Sequence, residues 1–382
     1  MKRKKVAIFS DVNPTKSYSC LQYLAESLND NGVDVYLYAK IPIRDLECTK
    51  SWRCNVISIY SFIYGKIPLF RRYIAQLHLF ILSVFYYDNV IIHELTFFRM
   101  AGLAKKINSN LNVIHYATEL YNEDDEPTHK NILKFYRNNA SFPDLIIECN
   151  EQRRDLRRQI FSISSPMVVI ENTLPLKSIS DSTHSLVNIG HGKERKCTLV
   201  YTGAAYLHRE LDRLIDAFEM SNLGEKLKLR LVCYGPLKDV GILRQYCEKV
   251  IPGKYELYTN VSREEALKYV SQSDIGVVYY RPSLSMGNRL AAPTKFYEYL
   301  SLGLPIVCSN NDSLIPILDE YNVGRYVKDE STDSLSETIV SVYNDYVLGK
   351  VSKVDVRTTF IQSLSYDVTA EPSVKIVVDK LV

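Results

Sequence analysis

The 382-residue sequence lacks the features that indicate a metal centre, a disulfide framework or a nucleic-acid partner. Its eight cysteines form no C-x-x-C pair and no Cys/His cluster at metal-ligand spacing. Cys149, Cys233 and Cys308 stand singly in apolar runs, a pattern typical of reduced core thiols in the cytoplasm. A net charge of +3 is too small to favour nucleic acid. We therefore expect a cytoplasmic protein without a metal site and without a nucleic-acid partner.

No apolar run is long enough to span a bilayer. The longest, residues 73–87, follows Arg71 and Arg72 and is too short for a membrane-spanning helix. One interpretation is a core helix packed on a sheet. The other is a surface segment that dips into a membrane interface, with the two arginines on anionic lipid. The basic residues 2–5 lead directly into an apolar strand, so we expect no cleaved signal peptide.

Length and alternation of elements predict two α/β domains. A chain of this length with 46% hydrophobic residues can bury two cores. Residues 6–38 have the pattern of strand, polar loop, helix and strand, which is the opening of a doubly wound sheet. Residues 173–195 are rich in Ser, Asn and Gly, which indicates a linker. We predict a first domain over residues 1–172, a second over 196–350 and a tail over 351–382.

The second domain contains a helix start that closely follows a buried strand. Residues 274–280 form an apolar run typical of a strand, and Pro293 and Thr294 then supply a fixed φ and a capping hydroxyl. Gly303 and Pro305 end the predicted helix about three turns later. A helix N-terminus at the carboxyl edge of a parallel sheet favours phosphate, because its free N–H groups and its dipole both attract an anion.

Two charged side chains follow this helix start. Lys295 adds a positive charge beside the expected phosphate, and Glu298, one turn further, offers a carboxylate that can accept two hydrogen bonds from a ribose diol. The alternative is an ordinary amphipathic helix in which Lys295 and Glu298 form an i,i+3 pair on the surface. The stretch thus indicates a nucleotide site, with a surface ion pair as the competing interpretation.

The stretch from Pro293 to Pro305 resembles the donor-site signature of family four (group 1) glycosyltransferases, in the variant P-x-K-x-x-E-Y-x-x-x-G-x-P. This resemblance implies that Glu298 binds the ribose of a nucleotide-sugar and that Lys295 lies near its diphosphate. Many members carry a first Glu eight positions before the second, and here that position is Leu290. The resemblance also implies the GT-B fold, in which two Rossmann-like, doubly wound α/β domains face a cleft and the last helix crosses back to the first domain.

Other positions match the family more weakly but in the expected order. Five further residues are predicted at the donor: Gly203, Arg209, Val261, Asn288 and Thr294. His93 and Glu94 follow an apolar strand, resemble a His-Glu pair of the family and are the predicted catalytic or substrate-contacting residues. The alternatives are a hydrogen-bonded structural role for His93 and a solvated surface position for Arg209. For His115 we expect a structural role.

The inferred reaction moves a sugar from a nucleotide-sugar to an acceptor hydroxyl. Its barrier lies in separating an anionic diphosphate from an oxocarbenium-like sugar, so positive charge and helix N-termini at the leaving group lower it. The resemblance implies retention of anomeric configuration and no metal, with the nucleotide-sugar as substrate and no cofactor. We expect a glycan or lipid-linked acceptor in surface polysaccharide or glycolipid assembly, at the inner face of an anionic membrane.

Two other functions fit the same fold. A nucleotide-sugar epimerase would need a set of catalytic carboxylates in the cleft, and the sequence offers no clear one. A non-catalytic sugar-binding or partner subunit is compatible with Leu290 in place of the usual first Glu. Binding and turnover of a panel of nucleotide-sugars would distinguish these functions.

Overall fold

The computed structural model describes residues 3–15, 19–59, 71–120, 130–179, 196–206 and 211–382. The chain forms two compact α/β units. The first comprises Met1–Asn172 and Thr369–Val382, and the second comprises Thr173–Val368. Most of the predicted linker, residues 180–195, lies outside the described residues, as does Arg209.

The first unit has seven strands. They are β1 (Lys5–Phe9), β2 (Asp34–Ala39), β3 (Asn55–Ser58), β4 (Asn89–His93), β5 (Asn112–Ala117), β6 (Leu145–Glu148) and β7 (Met167–Val169). Its helices are α1 (Cys20–Asp30), α2 (Arg71–Phe85), α3 (Phe98–Ile107), α4 (Lys130–Asn139) and α5 (Glu151–Phe161), with a 3-10 helix over Ile43–Thr49. All strand pairs are parallel, in the order β3-β2-β1-β4-β5-β6-β7.

The second unit has six strands. They are β8 (Cys197–Ala204), β9 (Leu227–Tyr234), β10 (Tyr255–Thr259), β11 (Ile275–Val278), β12 (Ile306–Cys308) and β13 (Gly324–Tyr326). Its helices are α6 (Leu211–Met220), α7 (Leu237–Val250), α8 (Arg263–Ser271), α9 (Met286–Arg289), α10 (Thr294–Ser301), α11 (Ile315–Tyr321), α12 (Thr332–Val347), α13 (Lys353–Thr359) and α14 (Tyr366–Thr369), with 3-10 helices over Leu176–Ser178 and Pro282–Leu284 and a π-helix over Phe360–Leu364. The sheet is parallel, in the order β10-β9-β8-β11-β12-β13.

In both sheets the strand order reverses beside the first strand, so that later strands are added on its other side. In the first unit β1 lies between β2 and β4, and in the second unit β8 lies between β9 and β11. Ligands of such sheets bind at the carboxyl ends of the two strands that flank the reversal. The predicted fold class, two parallel-sheet Rossmann-like units, is confirmed, and it directs attention to the ends of β1 and β4 and of β8 and β11.

Local sequence explains where many of these elements begin. The Asn150 side chain accepts the Arg153 amide at the start of α5. Ser262 and Glu265 form the predicted capping box of α8, in which each side chain bonds the other residue's amide. Strands such as β4 are buried along their whole length, as expected when helices cover both faces of a parallel sheet.

Helix α10 differs from its predicted form in two ways. Pro293 occupies the N-cap and Thr294 is the first helical residue, so the threonine does not cap the helix as we predicted. The helix spans eight residues, shorter than the predicted three turns. Gly303 ends it at φ +78, where a Cβ would lie 2.4 Å from the carbonyl oxygen of Lys353. Glycine is therefore required at this turn.

The chain ends within the first unit. Helix α15 (Glu371–Lys380) belongs to it, and Lys4 donates a hydrogen bond to the carbonyl oxygen of Leu381 at 2.6 Å. The side-chain amide of Asn89 donates to the carbonyl oxygen of Val382 at 3.0 Å. The segment that follows α15 is thus held at the amino ends of β1 and β4.

The apolar run forms helix α2, which has one buried face and one exposed face, and its contact with a membrane stays a prediction. Ala75, Leu79 and Ser83 are buried, so one face of the helix packs into the unit. Tyr73 and Phe85, at opposite ends of the helix, are 68% and 73% exposed. Among the described residues, no helix is both long enough and apolar enough to cross a membrane.

Candidate active site

Lys295 lies near the carboxyl ends of β8 and β11, at the reversal of the second sheet. Its ammonium donates a hydrogen bond to the carbonyl oxygen of Thr202 at 2.8 Å. It also lies 4.3 Å from the ring centroid of Tyr201 and 4.9 Å from that of Tyr280, within cation–π range. The positive charge is therefore held at the predicted edge of the sheet by one carbonyl group and two aromatic faces.

Tyr299, one turn after Lys295, also binds Thr202, at its amide and hydroxyl groups. Its hydroxyl accepts the amide of Thr202 at 2.8 Å and lies 3.0 Å from the Thr202 hydroxyl. The ring is fully buried and lies against Gly276 of β11, where a Cβ would come within 2.4 Å of it. Lys295 and Tyr299 together hold both backbone polar groups of Thr202, an arrangement we call the Thr202 clasp.

Gly203 follows the clasp and needs to be glycine. Its φ of +155 lies in a region that side chains disfavour. A Cβ there would lie 2.7 Å from the hydroxyl oxygen of Tyr201, the ring on which Lys295 packs. The predicted donor-loop glycine thus preserves the surroundings of Lys295.

The N-terminus of α10 leaves amides open. Pro293 provides no side-chain cap, and its carbonyl oxygen accepts the Phe296 amide at 3.1 Å. The amides of Thr294 and Lys295 have no hydrogen-bond partner among the described residues. Two N–H groups and the positive end of a helix dipole therefore remain available for an anion.

Glu298 pairs with a residue of another element, the arginine at the start of α8. Its Oε1 accepts a hydrogen bond from Arg263 at 3.1 Å, and its side chain is 19% exposed. Arg263 is the first residue of α8. Lys295 and Glu298 therefore form no i,i+3 pair, and the surface-pair interpretation is wrong for this helix. The carboxylate is anchored at Oε1.

The other predicted donor residues have different surroundings. Val261 lies half-buried between β10 and α8. Asn288, on α9, donates to the carbonyl oxygen of Arg281 at 3.1 Å, and thereby links α9 to the loop that follows β11. Leu290, at the position of the missing first Glu, is 5% exposed and packs as a core residue. The role of Arg209 stays a prediction because it lies outside the described residues.

His93 lies fully buried at the carboxyl end of β4 and is hydrogen-bonded through both ring nitrogens. Nδ1 is 3.0 Å from the Ser10 hydroxyl, and Nε2 is 3.0 Å from the Thr118 hydroxyl. The Thr118 hydroxyl donates to Glu94, so it accepts from Nε2–H and leaves Nδ1 to accept from Ser10. Burial lowers the pKa of His93 to about 3, and the ring is neutral near pH 7.

Glu94 adopts a left-handed backbone conformation with φ +60, which is uncommon for a residue with a side chain. Its Oε1 accepts the Thr118 amide at 2.6 Å, the Thr118 hydroxyl at 2.5 Å and the Glu119 amide at 2.8 Å. Burial raises the pKa of this carboxyl group, while these donors and the charge of Arg157 oppose the rise. Strained backbone of this kind is concentrated at functional positions.

The two residues of the predicted pair differ in exposure, and the catalytic or substrate-contacting role of each stays a prediction. The His93 side chain has no exposed surface, whereas the Glu94 side chain is 10% exposed. Glu94 Oε2 has no hydrogen-bond partner among the described residues. His93 orients the Thr118 hydroxyl, and through it the carboxylate.

His115 lies in an aromatic cluster. Its ring centroid is 5.1 Å from that of Phe98 and 5.6 Å from that of Tyr136. Neither ring nitrogen has a hydrogen-bond partner among the described residues. Burial lowers the pKa of His115 well below its ordinary value. The side chain fills the core rather than facing a ligand.

Sequence reasoning missed several residues that shape these sites. Tyr299 stands within the signature itself, so its presence there was a usable signal. Arg153 and Arg157 are buried on α5, together with Phe161. Their i, i+4, i+8 spacing marks one inward helix face, which a periodicity test could have detected.

In the described parts of the chain, no group of three or more His, Cys, Asp or Glu residues could hold a metal ion.

The second unit matches a known family model. Residues 196–345 match the model described as "Glycosyl transferases group 1". No curated protein sequence matches significantly. The match covers β8 to most of α12, and therefore includes the Thr202 clasp and the start of α10.

Solved structures of the same architecture cover nearly the whole chain. A glycosyltransferase from Rickettsia africae is 13% identical, with 100% of this chain and 99% of that chain covered and a TM-score of 0.72. Anabaena Alr3699/HepE, solved with UDP-glucose, is 13% identical with 99% and 100% covered and a TM-score of 0.73. WaaG, a glycosyltransferase involved in lipopolysaccharide biosynthesis, is 13% identical with 97% and 99% covered and a TM-score of 0.66.

At these identities the structural likeness establishes the fold, and the family match adds the class. The protein is a glycosyltransferase of the GT-B fold. Its second unit carries the group 1 glycosyl transferase domain, over residues 196–345.

Proposed function

We propose that the protein transfers a sugar from a nucleotide-sugar to an acceptor hydroxyl in the assembly of a surface polysaccharide or glycolipid, with retention of configuration and without a metal. The observation that carries the proposal is the open N-terminus of α10 at the reversal of the second sheet, with Lys295 beside it and Glu298 one turn behind. Alr3699/HepE was solved with UDP-glucose and WaaG acts in lipopolysaccharide biosynthesis, which supports such a donor and such a pathway.

In this reaction the second unit binds the donor and stabilises the leaving group. The amides of Thr294 and Lys295 bind the diphosphate, and the Lys295 charge adds to the potential of the helix terminus as negative charge develops. Arg263 holds Glu298 through Oε1, and Oε2 accepts hydrogen bonds from the ribose diol. The Thr202 clasp keeps Lys295 in place without movement during the reaction.

We also propose that the first unit lies on an anionic membrane, at the cytoplasmic face, where a lipid-linked acceptor would be found. Tyr73, Leu77, Ile81 and Phe85 are exposed at every fourth position of α2, by 68%, 56%, 40% and 73%. Helices α2, α3 and α4 contain two, three and three Lys or Arg residues respectively, and no Asp or Glu. Their crossovers run in one direction across the sheet, so right-handed connections place all three on one face.

A panel of nucleotide-sugars tests the proposed reaction. Binding is measured by calorimetry and turnover by nucleotide release, each before and after exhaustive EDTA treatment. We expect one donor to be bound and turned over, with activity kept in EDTA because α10 and Lys295 supply the positive charge. Loss of turnover in EDTA that magnesium or manganese restores would overturn the metal-independent part.

A non-catalytic sugar-binding subunit is the second candidate, favoured by the buried Leu290 at the position of the usual first Glu. It predicts binding of a nucleotide-sugar in the same panel with no nucleotide release to any acceptor. An epimerase would instead convert the donor sugar with no acceptor present.

A further inference from the structure

Helix α5 buries two arginines in the first unit. Arg153 and Arg157 are only 4% and 1% exposed, although Arg154 and Arg158 on the same helix face outward. Burying a guanidinium group is costly unless charged or polar groups pair with it. The partners of these two arginines therefore indicate what the helix supports.

Both arginines hold the backbone just after β5. Arg153 Nη1 donates to the carbonyl oxygen of Thr118 at 2.5 Å, and Arg157 Nη2 donates to that of Glu119 at 2.6 Å. Arg157 also forms a buried ion pair with Glu148 at the end of β6. Two positive charges from one helix thus fix two successive peptide groups at the carboxyl edge of the first sheet.

The same short segment binds Glu94 on its other side. The peptide group between Thr118 and Glu119 donates its N–H to Glu94 Oε1 at 2.8 Å and accepts Arg153 at its carbonyl oxygen. One peptide group therefore separates a guanidinium from a carboxylate, and each charge polarises the peptide in favour of the other. This bridge holds Oε1 of Glu94.

We propose that Arg153 and Arg157 are positioning residues, which hold Glu94 through the Thr118–Glu119 backbone so that its Oε2 accepts a hydroxyl group of the sugar acceptor. This inference rests on the proposed transferase function and names the acceptor contact. It explains why a left-handed backbone conformation is maintained at Glu94, since that geometry aims the side chain at the segment after β5.

The charges around Glu94 make the proposal measurable by pH. The titratable groups that face it are Cys20 of α1, His93 of β4, Tyr136 of α4 and Arg157 of α5. Burial raises the pKa of the Cys20 thiol to about 11 and also raises the pKa of Tyr136, so both are neutral near pH 7, as is His93. Arg157 is therefore the charge that acts directly in favour of ionised Glu94, and Arg153 supports it through the peptide group that both Arg153 and Glu94 bind.

The test compares Arg153→Met with Arg154→Met, a matched change at the next position, where the arginine lies at the surface. Octyl glycosides serve as acceptor probes, with the donor from the panel above. For Arg153→Met we expect an acceptor KM raised about tenfold or more, the effect of misplacing a hydrogen bond to a charged group. The acid limb of kcat/KM should move up by about 0.5 pH unit or more. Arg154→Met should resemble wild type.

Two further variants keep the test decisive. Arg153→Lys retains the charge and should restore the acid limb more fully than the KM. Glu94→Gln retains the shape and should raise the acceptor KM even if Arg153→Met does not fold. Binding of the donor identified by the panel, which we assign to the second unit, should stay unchanged in all of these variants.

The outcomes separate this inference from the proposed function. An unchanged acceptor KM in Glu94→Gln, or an Arg153→Met profile equal to that of Arg154→Met, would overturn the positioning role. A wild-type protein that binds a nucleotide-sugar of the panel but transfers to no octyl glycoside would overturn the sugar-acceptor assignment. Failure of wild type to bind any nucleotide-sugar would instead overturn the proposed function.

Discussion

Single residues in the donor site act through partners that are distant in sequence. Lys295 and Tyr299 reach Thr202, which lies 93 and 97 residues earlier in the chain. Glu298 reaches Arg263, 35 residues earlier. Each of these side chains can be changed separately, so binding and stability effects can be assigned to individual hydrogen bonds.

Glu298→Ala should weaken nucleotide-sugar binding by about 1.5–3 kcal/mol, the range for a hydrogen bond to a charged group. Folding should change little, because the carboxylate is partly exposed and its ion pair with Arg263 lies near the surface. Calorimetric titration with the donor measures the effect. The control is Glu264→Ala, an exposed Glu on α8, and equal affinities for the two variants would show that Glu298 does not bind the donor.

Tyr299→Phe should destabilise the second unit by about 1–3 kcal/mol, because the partly buried Thr202 amide loses its hydrogen-bond partner. Donor affinity should also fall, because the Thr202 clasp loosens and Lys295 is held less firmly. Urea unfolding and donor titration measure the two effects. Tyr255→Phe removes a hydroxyl whose bond to Glu248 is exposed, and it should change neither quantity. A Tyr299→Phe protein as stable as Tyr255→Phe would contradict the clasp.

At the scale of elements, α2 carries apolar side chains on both its buried face and its exposed face. Its inner face is apolar and buried, and its outer face carries apolar side chains in a line, where a solvated helix would carry charge. The neighbouring α3 adds Leu103 and Ile107, which are 40% and 66% exposed. A bilayer interface accommodates such a surface together with the basic residues around it.

Binding to liposomes with acidic lipid should decrease as salt rises, because each basic residue near the surface contributes about 1 kcal/mol of screened attraction. Arg71→Glu with Arg72→Glu should weaken it through charge, and Leu77→Glu with Ile81→Glu through the apolar line. Vesicle sedimentation measures binding. Leu237→Glu, at an exposed apolar site of the second unit, is the control. A folded wild type that stays in the supernatant at low salt would remove the membrane proposal.

At the scale of the whole molecule, buried histidines make stability depend on pH. His93 and His115 are uncharged in the folded protein because burial lowers the pKa of each, that of His93 to about 3. Unfolding returns both to a pKa near the ordinary value of about 6.5. Below that pH the unfolded chain binds protons that the folded one does not, so stability falls as pH decreases from about 6.5 towards 3.

His115→Phe should flatten this dependence. The variant removes one such group and two unpartnered buried nitrogens from an aromatic cluster. Its free energy of unfolding should decrease less between pH 7 and pH 5 than that of wild type, by up to about 1.4 kcal/mol for each pH unit below the unfolded pKa. Urea unfolding at the two pH values measures the difference, and an equal decrease in both proteins would argue against a neutral His115.

The sequence alone determined the α/β class, the two parallel sheets and the start of α10. Alternating apolar runs, Gly303 and the Ser262–Glu265 capping box are local signals, and each acts within a few residues of the element it defines. The donor signature was visible for the same reason, since Lys295, Glu298 and Tyr299 lie on two turns of one helix.

Only the tertiary structure shows which partners those side chains bind. Lys295 and Tyr299 close on Thr202 because β8 and β11 are neighbours in the sheet, and no local pattern states that pairing. The surroundings of His93 could not be read from the sequence either, because Ser10 and Thr118, which bond its two ring nitrogens, come from other strands and loops; its catalytic role stays a prediction. Burial and hydrogen-bond partners depend on residues brought together from distant parts of the chain, and they set charge state and access more strongly than residue type does.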